Sequence, residues 1–133
     1  MKSFDGVIAR YGTHLLLLVL VAALTCVNQL FLKAGVSLGG PIEFSFAGLV
    51  VLVRRIFTTP LILAGYAVGG LTGLLWLTAL SRIEISVAAP AVAGLYFIFM
   101  LFGSRILLAE AVTAERWAGV LAIIGGIVLL SRK

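Results

Sequence analysis

Apolar residues occur in long blocks along this chain, separated by short polar segments. Four blocks cover residues 14–33, 60–80, 85–108 and 114–131. A helix needs about 20 residues to cross roughly 30 Å of hydrocarbon, so each block, the fourth with its flanking turn, predicts a membrane-spanning helix. The second and third connections are short, which makes neighbouring helices run antiparallel and pack as hairpins. The pattern predicts an all-α membrane protein with four transmembrane helices in one domain, residues 1–133.

A shorter apolar run lies between the first two blocks, at about 44–57, and contains Arg54 and Arg55. An apolar run of about ten residues is too short to cross the membrane, and Pro60 favours a break before the second block. We interpret the run as an interfacial or re-entrant helix whose arginines lie among the lipid headgroups. The alternative is that the run only lengthens the second span, which would then be tilted.

The composition supports the assignment to a membrane. Of the 133 residues, 62% are hydrophobic and 11% are charged, against roughly 45–50% and about 25% in soluble domains. The net charge of +5 comes from basic residues scattered singly or in adjacent pairs between apolar blocks, so they fit headgroup anchors and form no nucleic-acid surface. The sequence contains no motif for metal binding, nucleophilic catalysis or phosphate-binding loops. We therefore expect no catalytic residues, no metal site and no cofactor.

One polar stripe interrupts the first apolar block. Its members, which follow the i, i+3, i+4 spacing of one helix face, are Thr25, Asn28, Gln29 and Lys33. Polar groups at membrane depth are energetically costly, which favours a functional role, although interhelical hydrogen bonds would also explain Asn28 and Gln29. Lys33 lies near the helix end and reaches the headgroups. There it would either meet a phosphate or act as a plain anchor.

The third block contains two further candidates. Pro90 removes one backbone hydrogen bond and leaves carbonyl groups available, which is tolerated where a neighbouring helix or a wet cavity takes up the freed groups. Tyr96 follows within two turns and would either hydrogen-bond a solute or pack against the polar stripe. Trp76 of the second block we interpret as a core or lipid-facing residue rather than as a stacking platform for a substrate.

Two sets of small residues predict helix contacts, because small side chains let helix backbones approach closely in lipid. They are Gly65, Gly69 and Gly73 in the second block, and Gly119, Ala122 and Gly126 in the fourth. These contacts lie either within one bundle or between two subunits.

The distribution of basic residues does not predict how the chain is oriented in the membrane. With four spans, one side carries five of them, Lys2, Arg10, Arg82, Arg132 and Lys133, and the other side also five, Lys33, Arg54, Arg55, Arg105 and Arg116. The positive-inside rule therefore favours neither orientation. Such a tie fits a chain that inserts in both directions, or one that another subunit or the translocon orients. Because four helices are too few to enclose a sizeable solute, we expect a homodimer or a heterodimer with a similar four-helix subunit.

Three stretches carry a family resemblance. NQLFLKAG, ALSRIEISVAAP and LLAEAVTAERWAGVLAIIGGIVLL resemble the four-helix proteins of the drug/metabolite transporter superfamily, over about residues 15–131. One branch is the small multidrug resistance family, which exports cations in exchange for protons through a glutamate in helix one, with aromatic residues in helix three. When Lys33 is aligned with the lysine that ends helix one of this family, the glutamate position holds Thr25. The aromatic positions of helix three hold Ala89 and Val92.

The chain more closely resembles a second branch, the subunits proposed to flip aminoarabinose-phospho-undecaprenol. That branch has polar residues and a lysine ending helix one and a proline in helix three, which Gln29, Lys33 and Pro90 match. The resemblance implies a flippase, or a flippase subunit, that moves a polyprenyl-phosphate-linked sugar across the bacterial inner membrane as a multi-pass protein. One departure from that branch is the segment at 44–57, which is longer and more apolar than a simple loop, so the resemblance leaves the identity of the substrate open.

The resemblance also implies roles for the candidate residues. A sugar headgroup would be solvated by the polar side chains Thr25, Asn28, Gln29 and Tyr96, beside Pro90. Its phosphate would be attracted by the cations Lys33, Arg54, Arg55 and Arg105. Two alternatives stay open: a proton-coupled exporter of cations or metabolites that uses Glu84 or Glu110, and a non-transporting membrane scaffold of a glycosyltransferase.

Overall fold

The computed structural model describes the backbone of residues 2–131 and the side chains of residues 12–129. In this part of the chain all regular structure is helical. The five helices are α1 (Lys2–Ser37), α2 (Phe46–Thr58), α3 (Pro60–Leu80), α4 (Ile85–Leu107) and α5 (Ala114–Ser131). Of the basic residues counted for orientation, Lys2, Arg10, Arg132 and Lys133 lie outside the residues whose side chains are described.

Three helices of the described residues are long and apolar enough to cross a membrane. They are Gly12–Ser37 of α1, together with α3 and α4. Large apolar side chains on their outer faces are exposed, Leu16 by 69% and Leu74 by 65%, which suits contact with lipid and not with water. The prediction of an all-helical, multi-pass membrane protein is therefore confirmed. That α5 also crosses stays a prediction.

α1 extends one turn beyond the predicted end of the first span. The prediction placed this end at residue 33, whereas the helix continues to Ser37. No glycine pair or proline interrupts the chain before Gly39, Gly40 and Pro41, and Gly40 adopts a left-handed φ of 72° that suits glycine. Lys33 therefore lies inside the helix, with one further turn after it.

α2 is a helix of its own and not an extension of α3. Ser45 caps its N-terminus by accepting a hydrogen bond from the Gly48 amide at 3.0 Å, and Thr59 separates it from α3 with an extended backbone. This break follows from Pro60, since the residue before a proline avoids the helical conformation. At about 1.5 Å per residue, the 13 residues of α2 are too short to cross a membrane. Its interfacial placement stays a prediction.

α1 is the central helix of the bundle. It packs against α3 along one side and against α4 along another, α5 packs on α4, and α2 packs on α3. Glycines permit both main contacts: a Cβ on Gly65 of α3 would lie 2.8 Å from Leu32, and one on Gly103 of α4 would lie 2.7 Å from Leu30. Cys26 is buried beside Gly103.

The hairpin of α3 and α4 is more open than the sequence predicts. A short connection joins the two helices, and around it Leu18, Ala79 and Ala88 form a buried cluster that also contacts Trp76. Away from this end α3 and α4 barely touch, because each packs on α1 instead. The two helices therefore stand apart across α1, and this separation creates the site.

Candidate functional site

A cleft of about 450 Å³ lies where α3 and α4 diverge over α1. Its lining comes from all three helices and consists of Val21, Thr25, Asn28, Gly69, Thr72, Gly73, Trp76, Ala89, Val92, Ala93 and Tyr96. Glycine and alanine at the walls leave the space that larger side chains would fill. Because the three helices are long and apolar enough to cross a membrane, we expect the cleft to lie at membrane depth.

Two threonines give the cleft hydroxyl groups. Thr25 Oγ1 donates to the Val21 carbonyl at 2.7 Å, and Thr72 Oγ1 donates to the Val68 carbonyl at 2.7 Å. With its hydrogen engaged in its own helix, each hydroxyl oxygen keeps lone pairs that accept hydrogen bonds. Both threonines therefore present acceptors to a ligand in the cleft.

Asn28 contributes an acceptor that has no partner. Among the described side chains, Asn28 Oδ1 is a buried oxygen without a hydrogen bond, although Thr25, Thr72 and Tyr96 line the same cleft. A buried polar group left unpaired costs about 1–3 kcal/mol. A hydroxyl or an amine brought into the cleft by a ligand would supply the missing donor once the Asn28 amide turns toward it, because the oxygen itself has less than 1 Å² of exposed surface.

Two aromatic residues flank these polar groups. Tyr96 lies on the α4 side of the cleft and packs against Phe97 with 5.5 Å between ring centroids. Trp76 lies on the α3 side and also contacts the buried cluster at the α3–α4 connection. The interpretation of Trp76 as a core or lipid-facing residue therefore describes only part of its surroundings.

Other predicted residues lie outside the cleft. Gln29 is exposed and is not part of the lining, and Pro90 is half-buried in α4 next to the lining residue Ala89. Neither Glu84 nor Glu110 lines the cleft, so the carboxylates considered for proton-coupled exchange are not in it.

The cations predicted to attract a phosphate have separate environments. Lys33 Nζ lies 3.9 Å from Glu110 Oε1. Arg55 donates to the carbonyl groups of Gly39 and Gly40 and thereby fastens α2 to the end of α1. The side chains of Arg54 and Arg105 are exposed. The structure therefore groups Lys33 with a carboxylate, a pairing that was not predicted.

The two sets of small residues have different surroundings. Gly65 and Gly69 face α1, where an added Cβ would meet Leu32 or Asn28, whereas Gly73 opens into the cleft. On α5, a Cβ on Gly119 or Gly126 would meet nothing within 4 Å, and Ala122 is exposed. The small-residue face of α5 is therefore uncovered within the described part of this chain.

Among the polar and aromatic lining residues, Thr72 and Trp76 are the two that sequence reasoning did not propose as binding residues. They lie one turn apart on α3, on the side of the helix that also carries Gly69 and Gly73. A polar residue within a run of glycines at helical spacing was the available signal. Within the described residues, no group of three His, Cys, Asp or Glu side chains is placed to hold a metal ion.

Curated proteins similar to this chain share most of its length. A probable 4-amino-4-deoxy-L-arabinose-phosphoundecaprenol flippase subunit ArnE of Pseudomonas fluorescens is 36% identical over 119 residues, 88% of this chain and 96% of its own. The protein of the same name in Serratia proteamaculans is 37% identical over 117 residues, 87% and 93% of the two chains. An uncharacterised protein, y4nH of Sinorhizobium fredii, is 32% identical over 118 residues, 88% and 94%. No protein-family model matches the chain, and no solved structure matches it.

Proposed function

Because the chain belongs to the family of ArnE flippase subunits, we propose that it is a flippase subunit that moves a polyprenyl-phosphate-linked sugar across the bacterial inner membrane. Aminoarabinose-phospho-undecaprenol, the substrate in the relatives' names, is the first candidate. The assignment is to a transporter and not to an enzyme, as those names indicate. The cleft and the cations near the end of α1 suit the two polar parts of such a lipid.

The single observation that carries the proposal is the unpaired Asn28 Oδ1 in a cleft at membrane depth. A sugar headgroup has hydroxyl or amino donors for this oxygen and for the oxygens of Thr25 and Thr72. It would lose its hydration on entering the membrane, and hydrogen bonds in the cleft would replace part of what is lost. The faces of Tyr96 and Trp76 complete a site with both polar and apolar surfaces.

The separation of α3 and α4 suits a substrate with a long tail. Since these helices meet mainly near their connection, the cleft is not closed by a helix-to-helix contact along its length. The polyprenyl chain would remain among the lipid tails while only the phosphate and the sugar pass along α1. Lys33, which is 62% exposed, would attract the phosphate at the end of this path, and Gln29 lies one turn before it on α1.

A complete transporter requires further parts, which we propose on the same basis. α5 would be the fourth span, in the arrangement of the drug/metabolite transporter superfamily, and α2 would lie at the membrane interface. The uncovered small-residue face of α5 suits close packing against another helix, in a second copy or in a similar four-helix subunit. The relatives are themselves named as subunits, which supports a multi-subunit assembly.

The test follows leaflet exchange of a fluorescent polyprenyl-phospho-sugar in liposomes that hold the protein together with any subunit that copurifies. We expect Asn28→Ala with Lys33→Ala to slow exchange by about tenfold or more, because each removes an interaction of about 1 kcal/mol. Arg82→Ala is the matched control, since it removes an exposed cation that does not line the cleft. Exchange as fast as in the unmodified protein would remove Asn28 and Lys33 from the transport path.

A further inference from the structure

The ion pair between Lys33 and Glu110 joins two distant parts of the chain. Lys33 belongs to the penultimate turn of α1, and Glu110 belongs to the connection between α4 and α5. Their side chains are 62% and 39% exposed, with 3.9 Å between Nζ and Oε1. Both partners are thus accessible to a third charged group, and the pair occupies the place where the proposed function brings in a phosphate.

The backbone directs Glu110 toward α1. Ala109, the residue before it, has a left-handed φ of 52°, a conformation that is uncommon for residues other than glycine. The amides of Leu108 and Glu110 both donate to the Ser104 carbonyl, at 3.2 and 3.1 Å. The chain therefore turns sharply at the end of α4, and this turn, held by two hydrogen bonds, places the carboxylate beside Lys33.

We propose that Glu110 is an internal competitor for Lys33: its carboxylate holds the ammonium in the empty protein and is displaced by the phosphate of the incoming headgroup. This inference rests on the proposed function and deepens it, because it adds a residue that sets the affinity for the anionic part of the substrate. Glu110 does not touch the sugar in this scheme. It acts only through the availability of Lys33.

The accessibility of the pair allows the exchange. An ion pair between exposed side chains contributes little, because both charges are already well solvated, so giving it up costs little. The phosphodiester of such a headgroup presents two charged oxygens, as the carboxylate does, and forms charge-assisted hydrogen bonds with the ammonium. The same headgroup is also held by the cleft, whereas Glu110 competes at Lys33 alone.

The experiment measures binding of a fluorescent short-chain polyprenyl-phospho-sugar to the protein in nanodiscs of phosphatidylcholine. The protein is extracted under conditions in which any partner subunit stays bound to it. We expect Glu110→Gln to lower the apparent dissociation constant about two- to fivefold, since the competitor is lost. Lys33→Gln should raise the constant. Glu115→Gln is the matched control, because it removes an exposed acid of the first turn of α5 and should change nothing.

The double variant separates competition from a structural effect. In the Lys33→Gln background, Glu110→Gln should have no further effect, because no ammonium is left to compete for. An affinity gain that persists in that background, or no gain in Glu110→Gln alone, would overturn the competitor role. If the unmodified protein binds the phospho-sugar lipid no better than the same lipid without phosphate and sugar, the proposed function fails, and the competitor role fails with it.

Discussion

The side-chain amide of Asn28 lies directly against the backbone of Gly69. A Cβ placed on Gly69 would be 3.2 Å from Asn28 Nδ2 and 3.4 Å from Cγ. The absence of a side chain at residue 69 thus makes room for the one side-chain amide that lines the cleft. Two features that the sequence presents separately, a glycine repeat in α3 and a polar stripe in α1, form one structural unit.

Gly69→Ala should displace the Asn28 amide by a few tenths of an ångström and slow leaflet exchange severalfold. The free energy of unfolding should change by less than about 1 kcal/mol, because the better helix propensity of alanine offsets the crowding. Gly70→Ala is the control, since its Cβ would meet nothing within 4 Å, and exchange should be unchanged. Equal exchange rates in the two variants would show that the position of Asn28 is unimportant.

Thr72→Val should slow exchange by about two- to tenfold, because the variant keeps the shape of the side chain and loses one acceptor in the cleft. Stability should hardly change, as the lost hydrogen bond lies within α3. Thr78→Val is matched to it: Thr78 donates to Leu74 in the same way at 3.0 Å, but it is exposed and not in the cleft. Exchange assays and thermal unfolding of both variants distinguish a ligand-binding hydroxyl from a structural one.

Arg55→Gln should loosen the connection between α1 and α2. The guanidinium donates to the carbonyl groups of Gly39 and Gly40, and hydrogen bonds from a charged donor contribute about 1.5–3 kcal/mol. Hydrogen exchange in the segment that follows α1, measured at the Gly39 amide that donates to the Val36 carbonyl, should therefore rise about tenfold or more. Arg54→Gln, which removes the neighbouring cation but neither of these bonds, should leave the exchange rate of that segment unaltered.

The charge balance offers a test of the fourth span. If α5 crosses the membrane, five basic residues lie on each side, whereas without that crossing Arg132 and Lys133 move to the other side and the balance becomes three against seven. An impermeant maleimide added from outside can label Ser81→Cys, in the α3–α4 connection, only where that connection faces outward. If the chain has four spans, both orientations occur and only part of the molecules should be labelled. If the chain has three spans, the side with seven basic residues lies inside, so the α3–α4 connection lies outside and nearly all molecules should be labelled.

Glu84→Lys adds a cation beside the labelling position and should retain that connection inside the cell, which lowers labelling. The control is Glu84→Gln, because acidic residues contribute little to orientation. Labelling that is mixed to the same extent in all three chains would mean that the basic residues do not set the orientation. Cys26 is buried, with 4% of its surface exposed, so the introduced cysteine gives the signal.

Sequence reasoning succeeds here where the chain has strong local signals. Pro60 starts α3, as its position suggests. The polar connections at 81–84 and 109–113 directly precede the first residues of α4 and α5. The end of α1 is less predictable, because Lys33 resembles a boundary residue although the nearest helix breakers are Gly39 and Gly40. A lysine is compatible with either the interior or the end of a helix, so the pattern alone could not decide.

The cleft could be predicted only in part. Thr25 and Asn28 line it, yet Gln29, one residue later, is turned by about 100° around the helix and is exposed. Which part of the stripe faces the cleft depends on α3 and α4 packing on two sides of α1, a relation between helices that residue spacing does not encode. The Lys33–Glu110 pair was unpredictable for a local reason, since alanine at residue 109 gives no sign of a left-handed φ.

The central position of α1 has a consequence for biosynthesis. The ribosome makes the N-terminal helix first, so α1 can enter the bilayer before α3 and α4, the two helices that pack on it, have been translated. Each of the helices α3, α4 and α5 would then pack on a helix that has already been made, and no completed helix contact has to open again. Chain elongation and helix assembly would thus proceed in the same order.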